Sequence, residues 1–546
     1  MRCESSGCRN PRRTRGQRTL GRPGKGAGRS LMIPASAHTP PATYRPLTIA
    51  TGMRAAAERT PEKIALREGE RTLTYAALVD RIDRVGAMVT DGFGLGPGDN
   101  AAILSPNCLE YIEIVAGASC AGVAVATLNP RLVGREIRYI CDDCGARVLF
   151  VHASLAETVR DLTLDSVERI VVLGGEYDAL LAEARPLRPA PLPEWSPFSI
   201  SYTSGTTGEP KGVVLPHRSR VLTFYGMAAE YGCYGPDDRY LATAPLFHGA
   251  GFAFAVAVVY FGGYCEILPG FDPERVIERL ATERLGGTFF VPTHFHSVFA
   301  LERPVLERHR AFERLKAIVS NAAPLAQATK ERIVDYFGEG ILHETYGSTE
   351  AGIVTNLRPA DQLVKQRCVG LPFVASHVRL LDDDGREVAP GEVGELFSNS
   401  PYIFNGYWGK PEETAACFRG DWFSAGDMAT RDEEGFVYLV DRKKDMVISG
   451  GINIYPREIE EILFRHPGVA DVAVIGVPNE KWGEELKGFV VPKPGGAPDA
   501  RALESFCREH LSPYKVPKTF EFTGALPRNA AGKVLKRKLR EARSGP

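Results

Sequence analysis

No run of apolar residues in this 546-residue chain is long enough to span a bilayer. The longest, Ala250 to Phe261, has about half the ~20 residues that a membrane helix needs. The stretch from Ile112 to Leu128 is rich in small residues and holds Glu113, the pattern of a buried helix running into a strand. An integral membrane segment is therefore not expected. A disulfide or zinc framework is also missing: the 11 cysteines are scattered, and Cys141-Asp142-Asp143-Cys144 has no second pair to complete a metal site. That pair reads as a helix end, and the cysteine usage predicts a reducing, cytoplasmic setting. Thr293-His294-Phe295-His296 would put two histidines on one strand face without a third ligand, so packing is the expected role. Net charge is only −1. Residues 1–31 hold eight Arg and Lys25 against Glu4, a net +8, which leaves −9 on the remainder. That balance argues against nucleic acid as a partner of the folded body.

Residues 1–41 are Arg-, Gly-, Ser- and Pro-rich with almost no apolar side chains, so they cannot offset their ordering entropy and are expected to be disordered. They lack the apolar centre of a secretory signal. An Arg-rich organellar transit segment is one reading; an over-extended start, with Met32 or Met53 as initiator, is the plainer one.

The folded body is expected to begin near Thr48. Its length predicts about two to four structural units, and 44% hydrophobic with 24% charged residues suits a globular protein. Leu78, Ile82, Val85 and Val89 form one helical face after a Thr74 cap. Short runs at Asn100 to Leu104, Val123 to Leu128, Arg147 to Val151 and Arg169 to Leu173 alternate with helical ones, which predicts α/β layers with mainly parallel sheets. Prolines 186, 189, 191, 193 and 197 mark an exposed connector. After Asp441-Arg442-Lys443-Lys444-Asp445, expected to be an exposed hinge, the texture changes. Strands at Ala470 to Val477 and Lys487 to Val491, with helices at Pro456 to Arg465 and Ala500 to His510, predict a compact α+β unit of about 100 residues.

One segment carries phosphate chemistry: Thr203-Ser204-Gly205-Thr206-Thr207-Gly208-Glu209-Pro210-Lys211-Gly212. Gly205, Gly208 and Gly212 allow unusual backbone angles and close approach to an anion; Ser204, Thr206 and Thr207 offer hydroxyl donors, and Lys211 a positive charge. The spacing is neither the Walker loop nor the kinase glycine loop. By chemistry alone it is a polyphosphate loop of another type, with a Ser- and Gly-rich structural turn as the alternative.

The loop resembles the signature of the adenylate-forming superfamily: acyl-CoA synthetases, peptide-synthetase adenylation domains and luciferases. Further matching segments follow in the family's order. They are Ala244-Pro245-Leu246-Phe247-His248, Ser320-Asn321-Ala322-Ala323-Pro324-Leu325, Tyr346-Gly347-Ser348-Thr349-Glu350, Gly426-Asp427, Asp441-Arg442, Gly450 to Pro456 and Pro527 to Lys533. The resemblance spans roughly residues 45–540. It implies a large N-terminal adenylation domain of layered sheets and helices over 45–441, a hinge at 442–444, and a small mobile α+β domain over 445–540. It also implies ATP, Mg²⁺ and coenzyme A. Lys533 would bridge the acid and the α-phosphate. Glu350, with Thr207, would hold magnesium. Thr349 would contact the α-phosphate, and His248 would sit beside the reacting groups. Tyr346 would stack on adenine, with Ala322, Ala323, Glu344, Thr345 and Gly347 around it. Asp427 would accept from the ribose hydroxyls beside Arg442, although by itself it is equally a turn residue after Gly426. Lys444 matches the hinge position, and Gly450 and Gly451 the close-approach glycines for the pantetheine arm. Glu344-Thr345 stands where Gln-Gly is frequent, and Asn321-Ala322-Ala323 replaces a glycine-rich version.

Within the superfamily, Phe247-His248-Gly249-Ala250 offers no acid to pair with an amino group, which disfavours an amino-acid substrate. An acid–CoA ligase is the expected activity; a carrier-protein acyl-AMP ligase, luciferase-type oxidation and a catalytically silent adenylate binder are the alternatives. Phe247, Phe252, Phe254, Val256, Tyr260, Phe289, Phe290 and His294 form a candidate wall for a medium- or long-chain fatty acid, with a coumarate- or benzoate-like acid second. The same residues could equally be core. A homodimer is compatible with the sequence.

Overall fold

The computed structural model describes residues 43–186, 188, 190–203, 209–450, 452–493, 496, 498–528 and 534–541. The chain divides after Tyr44, and Arg45–Pro546 is one compact unit. The expected disorder of residues 1–41 lies outside the described residues.

Two large sheets dominate. The first has seven strands in the order Gly406–Tyr407, Lys211–Pro216, Pro197–Thr203, Ala124–Leu128, Asn100–Leu104, Ala146–His152, Arg169–Leu173. Its members from Pro197–Thr203 onward are parallel, and the first three are antiparallel neighbours. The second has nine strands, with a parallel centre built from Leu342–Ser348, Ala317–Ser320, Gly287–Phe290, Arg239–Ala242, Tyr264–Ile267 and Ile64–Glu68. The alternation of apolar strands with helices thus produces the layered α/β body expected.

Two helices sit between these sheets. Leu109–Cys120 is buried at every position and packs on the first sheet; Gly249–Tyr260 is buried along most of its length and packs on the second. Glu113, the one charge in the run from Ile112, is fully buried. It accepts from Arg81 Nε at 2.6 Å and Nη2 at 2.8 Å and from the Tyr177 hydroxyl at 2.6 Å, so the burial of its charge is offset by a full set of donors. Thr74 caps the helix Tyr75–Ala87 by accepting from the Ala77 amide.

Three expectations need correction. His294 and His296 lie on a helix, Pro292–Phe299, because Pro292 starts a helical turn after the strand Gly287–Phe290. Two residues apart on a helix, they face different ways; His294 stacks on Phe271 at 4.0 Å, and burial lowers its pKa to about 4. Asp441 is buried, not exposed: its carboxylate accepts from the backbone amides of Arg442 and Arg457. The candidate acyl wall is mostly core. Phe252, Phe254, Val256, Tyr260, Phe289 and Phe290 are all buried, since the Gly249–Tyr260 helix is covered on all sides, and Phe254 stacks on Phe289 at 4.6 Å.

Cys141 and Cys144 end the helix Gly134–Cys144, both buried, and burial pushes the Cys144 thiol up to about 12. Among the described residues no cluster of His, Cys, Asp and Glu is suited to a metal, and no helix is long and apolar enough to cross a membrane.

A six-stranded, largely antiparallel sheet holds Gly394–Asn399, Asp427–Arg431 and Val437–Arg442. Beyond it, Ile452–Ile454, Val447–Ser449, Gly483–Pro492, Val469–Asn479 and Thr519–Phe522 make a five-stranded sheet. The helices Pro456–Phe464 and Ala500–His510 give it its own apolar core of Ile459, Leu463, Val474, Val490 and Leu503.

Candidate active site

The phosphate-type loop joins two neighbouring antiparallel strands, and Thr203 lies directly across from Lys211. Ser204, Gly205, Thr206, Thr207 and Gly208 lie outside the described residues, so the expected hydroxyl cradle, and the metal role given to Thr207, are not described. Gly212 differs from its expected part. Its backbone is not left-handed, and a Cβ there would stand 2.8 Å from Ile200 Cγ2 and 3.1 Å from the Tyr202 ring, so it is glycine for strand packing.

Lys211 pairs with Glu413 of the helix Pro411–Ala416 and lies 5.0 Å over the Tyr407 ring. The Tyr407 hydroxyl donates to Glu350 Oε1 at 2.9 Å. Lys211 and Glu350, expected to meet around a polyphosphate, are therefore bridged by one tyrosine that the sequence did not single out. Glu350 supplies a hard carboxylate oxygen beside this lysine. That suits Mg²⁺, which takes one or two protein carboxylates and completes its shell from phosphates and water.

The nucleoside-type residues meet on another side. Asp427 opens the strand Asp427–Arg431, and Arg442 is its cross-strand partner. Arg442 Nε lies 3.0 Å from Asp427 Oδ1, and the Tyr346 hydroxyl donates to Oδ2 at 2.6 Å. Each carboxylate oxygen keeps capacity for a further donor, so both can still accept a hydroxyl pair. Tyr346 and His248 are surrounded by protein yet keep open surface, as residues lining a cleft do.

Gly347 sits at a bulge between Leu342–Ser348 and Gly352–Leu357, where a Cβ would run into the Gly352 carbonyl. Thr349 is half-buried nearby. Glu344 departs from the nucleotide role expected of it. Its carboxylate is buried against Lys330 and the Leu325 amide, which leaves only its backbone for a ligand. Thr345 accepts from Asn321 Nδ2 at 2.8 Å. Ala322 and Ala323 are exposed, and Ala322 holds a φ of 76°. Alanine is strained there, so Ala322→Gly is expected to stabilise the protein by about 1 kcal/mol, read as a rise in melting temperature.

His248 caps the Gly249–Tyr260 helix through Nδ1, which accepts from the Ala250 amide at 3.3 Å. Surrounding protein and then the Arg220 charge lower its pKa, so it is neutral at pH 7 with Nε2 left to act. In the segment expected to be a hinge, Lys443 Nζ is tied to Asp383 (2.8 Å) and Glu395 (3.1 Å), whereas Asp445 is tied to Arg540 (3.1 Å). The exposed Lys444 stands between these two anchorages. Gly450 has a φ of 57°, and a Cβ would meet the Trp482 ring at 2.8 Å. Gly451 and Lys533 lie outside the described residues.

Besides Tyr407 and Glu413, sequence reasoning missed Arg220. The available signal was its place, with His217, Val221 and Phe224, on the buried face of the helix His217–Tyr231.

Comparison with known proteins identifies the family. A family model described as AMP-binding enzyme matches residues 53–408, and one described as AMP-binding enzyme C-terminal domain matches 458–533. Feruloyl-CoA synthase of an Amycolatopsis species is 38% identical, over 89% of this chain and 96% of its own. The 2-succinylbenzoate–CoA ligase of Geobacillus kaustophilus is 36% identical, over 88% and 95%. A long-chain-fatty-acid–CoA ligase of Escherichia coli is 33% identical, over 87% and 90%. Among solved structures, ATP-bound MatB from Rhodopseudomonas palustris superposes with a TM-score of 0.81 at 28% identity, covering 90% of this chain and 98% of that one.

Proposed function

The chain belongs to the AMP-binding enzyme family, and from that membership we propose that it is an ATP-dependent acid–CoA ligase. The carboxylate of an acid attacks the α-phosphate of ATP, giving an acyl-adenylate and pyrophosphate. The CoA thiol then takes the acyl group and AMP leaves. The observation that carries this reading is the pairing in one compact unit of a nucleoside-type cluster with a polyphosphate-type cluster. Tyr346, Asp427 and Arg442 make the first, and Lys211, Tyr407 and Glu350 the second.

In this reading Asp427 orients the ribose and Tyr346 carries adenine on its ring. Lys211 neutralises phosphate charge after exchanging Glu413 for the nucleotide. Glu350 would hold Mg²⁺, which supplies further neutralisation of the leaving pyrophosphate when bound. Lys533 brings positive charge to the acid. Residues 442–444 serve as the hinge between domains at 45–441 and 445–540: the anchoring of Lys443 and Asp445 to different partners leaves Lys444 as the position able to rotate.

For the acid, an aryl-bearing substrate is favoured over the medium- or long-chain fatty acid first expected. The relatives named for aromatic acids stand at 38% and 36% identity, against 33% for the fatty-acid ligase. Most of the aromatic side chains of the candidate acyl wall are packed as core. Pyrophosphate release measured over a panel of aryl and fatty acids, with and without CoA, tests both points. Acid-dependent release and a CoA thioester are expected. Pyrophosphate without any thioester would instead favour a carrier-protein thiol as acceptor.

A further inference from the structure

Arg220 is a buried charge without a countercharge. It is 8% exposed on the helix His217–Tyr231, its Nε has no hydrogen-bond partner, and it makes no ion pair among the described residues. Other buried charges among the described residues have partners: Glu113 with Arg81, Glu266 with Arg279, Lys330 with Glu344, Asp427 with Arg442 and Lys487 with Glu521 as ion pairs, and Asp441 with the backbone amides of Arg442 and Arg457. None of the undescribed residues after Ala42 is an aspartate or glutamate. Burial pushes the pKa of Arg220 down to about 10, which still leaves it charged at neutral pH. A buried cation of this kind is costly unless something negative arrives.

Its position says where that anion would come from. Arg220 Nη2 lies 3.5 Å from the point a Cβ on Gly249 would occupy, and Thr349 Cγ2 lies 3.7 Å from the same point. The guanidinium also stands over the Phe198 ring at 5.6 Å, and its charge is felt by His248. A Cβ at position 249 would lie in van der Waals contact with the guanidinium, and glycine keeps that side of it free of a side chain. Arg220 has no bond to the nucleoside-type or polyphosphate-type clusters, and its neighbours Thr349 and His248 are the residues that the family resemblance puts beside the α-phosphate and the reacting groups.

We propose that Arg220 is a specificity-determining receptor for a second, non-reacting carboxylate on the acid being activated, so that the preferred acid is a dianion. This rests on the acid–CoA ligase reading. The reacting carboxylate is the poorer partner, because it loses its charge as the adenylate forms. A guanidinium fixed on a buried helix could not withdraw and would be left unpaired in the product. A carboxylate that takes no part in the chemistry keeps the pair through both half-reactions.

The test uses matched pairs of acids: 2-succinylbenzoate with 4-oxo-4-phenylbutanoate, and adipate with hexanoate. Pyrophosphate release by the full chain is measured for each. The wild type is expected to prefer the dianion in at least one pair by about 50-fold in kcat/KM. Arg220→Met is expected to abolish that preference by lowering the dianion while sparing or raising the monoanion. Arg220→Lys, which keeps the charge, should retain part of it and serves if Arg220→Met fails to fold. Equal loss toward both members of a pair, or a wild type that prefers the monoanions, overturns the inference while the ligase reading stands. No pyrophosphate with these acids or with the aryl and fatty acid panel overturns the ligase reading itself.

Discussion

Lys533→Ala is expected to lower pyrophosphate release from ATP and acid by about 1,000-fold, while transfer of a supplied acyl-adenylate to CoA stays within about twofold of the wild type. Adenylation joins two anions, a carboxylate and the α-phosphate, and charge concentrates between them in the transition state. The cations described on the nucleotide side are already engaged: Lys211 against Glu413 and Tyr407, and Arg442 against Asp427. Neither is free to sit on the acid. Lys533, some 320 residues beyond the loop, is the lysine that the family resemblance places there. Removing it withdraws a charge needed in the transition state of the first half-reaction alone. The two halves are separable by assaying pyrophosphate release and thioester formation from pre-made adenylate. Equal losses in both would show that Lys533 supports the fold or the CoA site instead.

Asp427→Ala is expected to raise KM for ATP by about 300-fold with a much smaller change in kcat. Its carboxylate would lose two charge-assisted bonds to ribose hydroxyls. The substitution also strands its present partners, since the Tyr346 hydroxyl and Arg442 both converge on it. Asp427→Asn keeps an acceptor at the same place and should cost about tenfold. The check is an ATP titration at saturating acid, with 2′-deoxy-ATP as a second nucleotide. In the wild type, loss of one ribose hydroxyl should weaken binding; in Asp427→Ala the two nucleotides should behave alike. A variant that still discriminates between them would put the ribose contact elsewhere.

The loop segment and the Tyr346 to Glu350 run could be picked out because each carries its chemistry in neighbouring residues, whereas Asp427 and Arg442, far apart in sequence, were paired only through the family resemblance. So was the strand–helix alternation, since apolar period is a local property of the chain. The buried helix at Glu113 was legible for the same reason, but its partners Arg81 and Tyr177 were not. The aromatic wall was left open between pocket and core because Phe252, Phe254 and Phe289 have the same side chains whether they line a cavity or fill a core. Only the layers on either side of the Gly249–Tyr260 helix distinguish the two. The partner of the Glu344 carboxylate was not legible either: nothing near it in sequence announces Lys330 across the packing.

The sequence by itself determined the α/β class, the family and the order of the motifs, because glycine, hydroxyl and charge spacings are written within a few consecutive residues. The tertiary structure decided which of those residues meet, and which charges are left over. Tyr407 joining Lys211 to Glu350, Tyr346 reaching Asp427, and Arg220 standing unpaired beside Gly249 are relations between residues far apart in the chain. Burial and pairing depend on everything that packs around a group, so no local pattern encodes them.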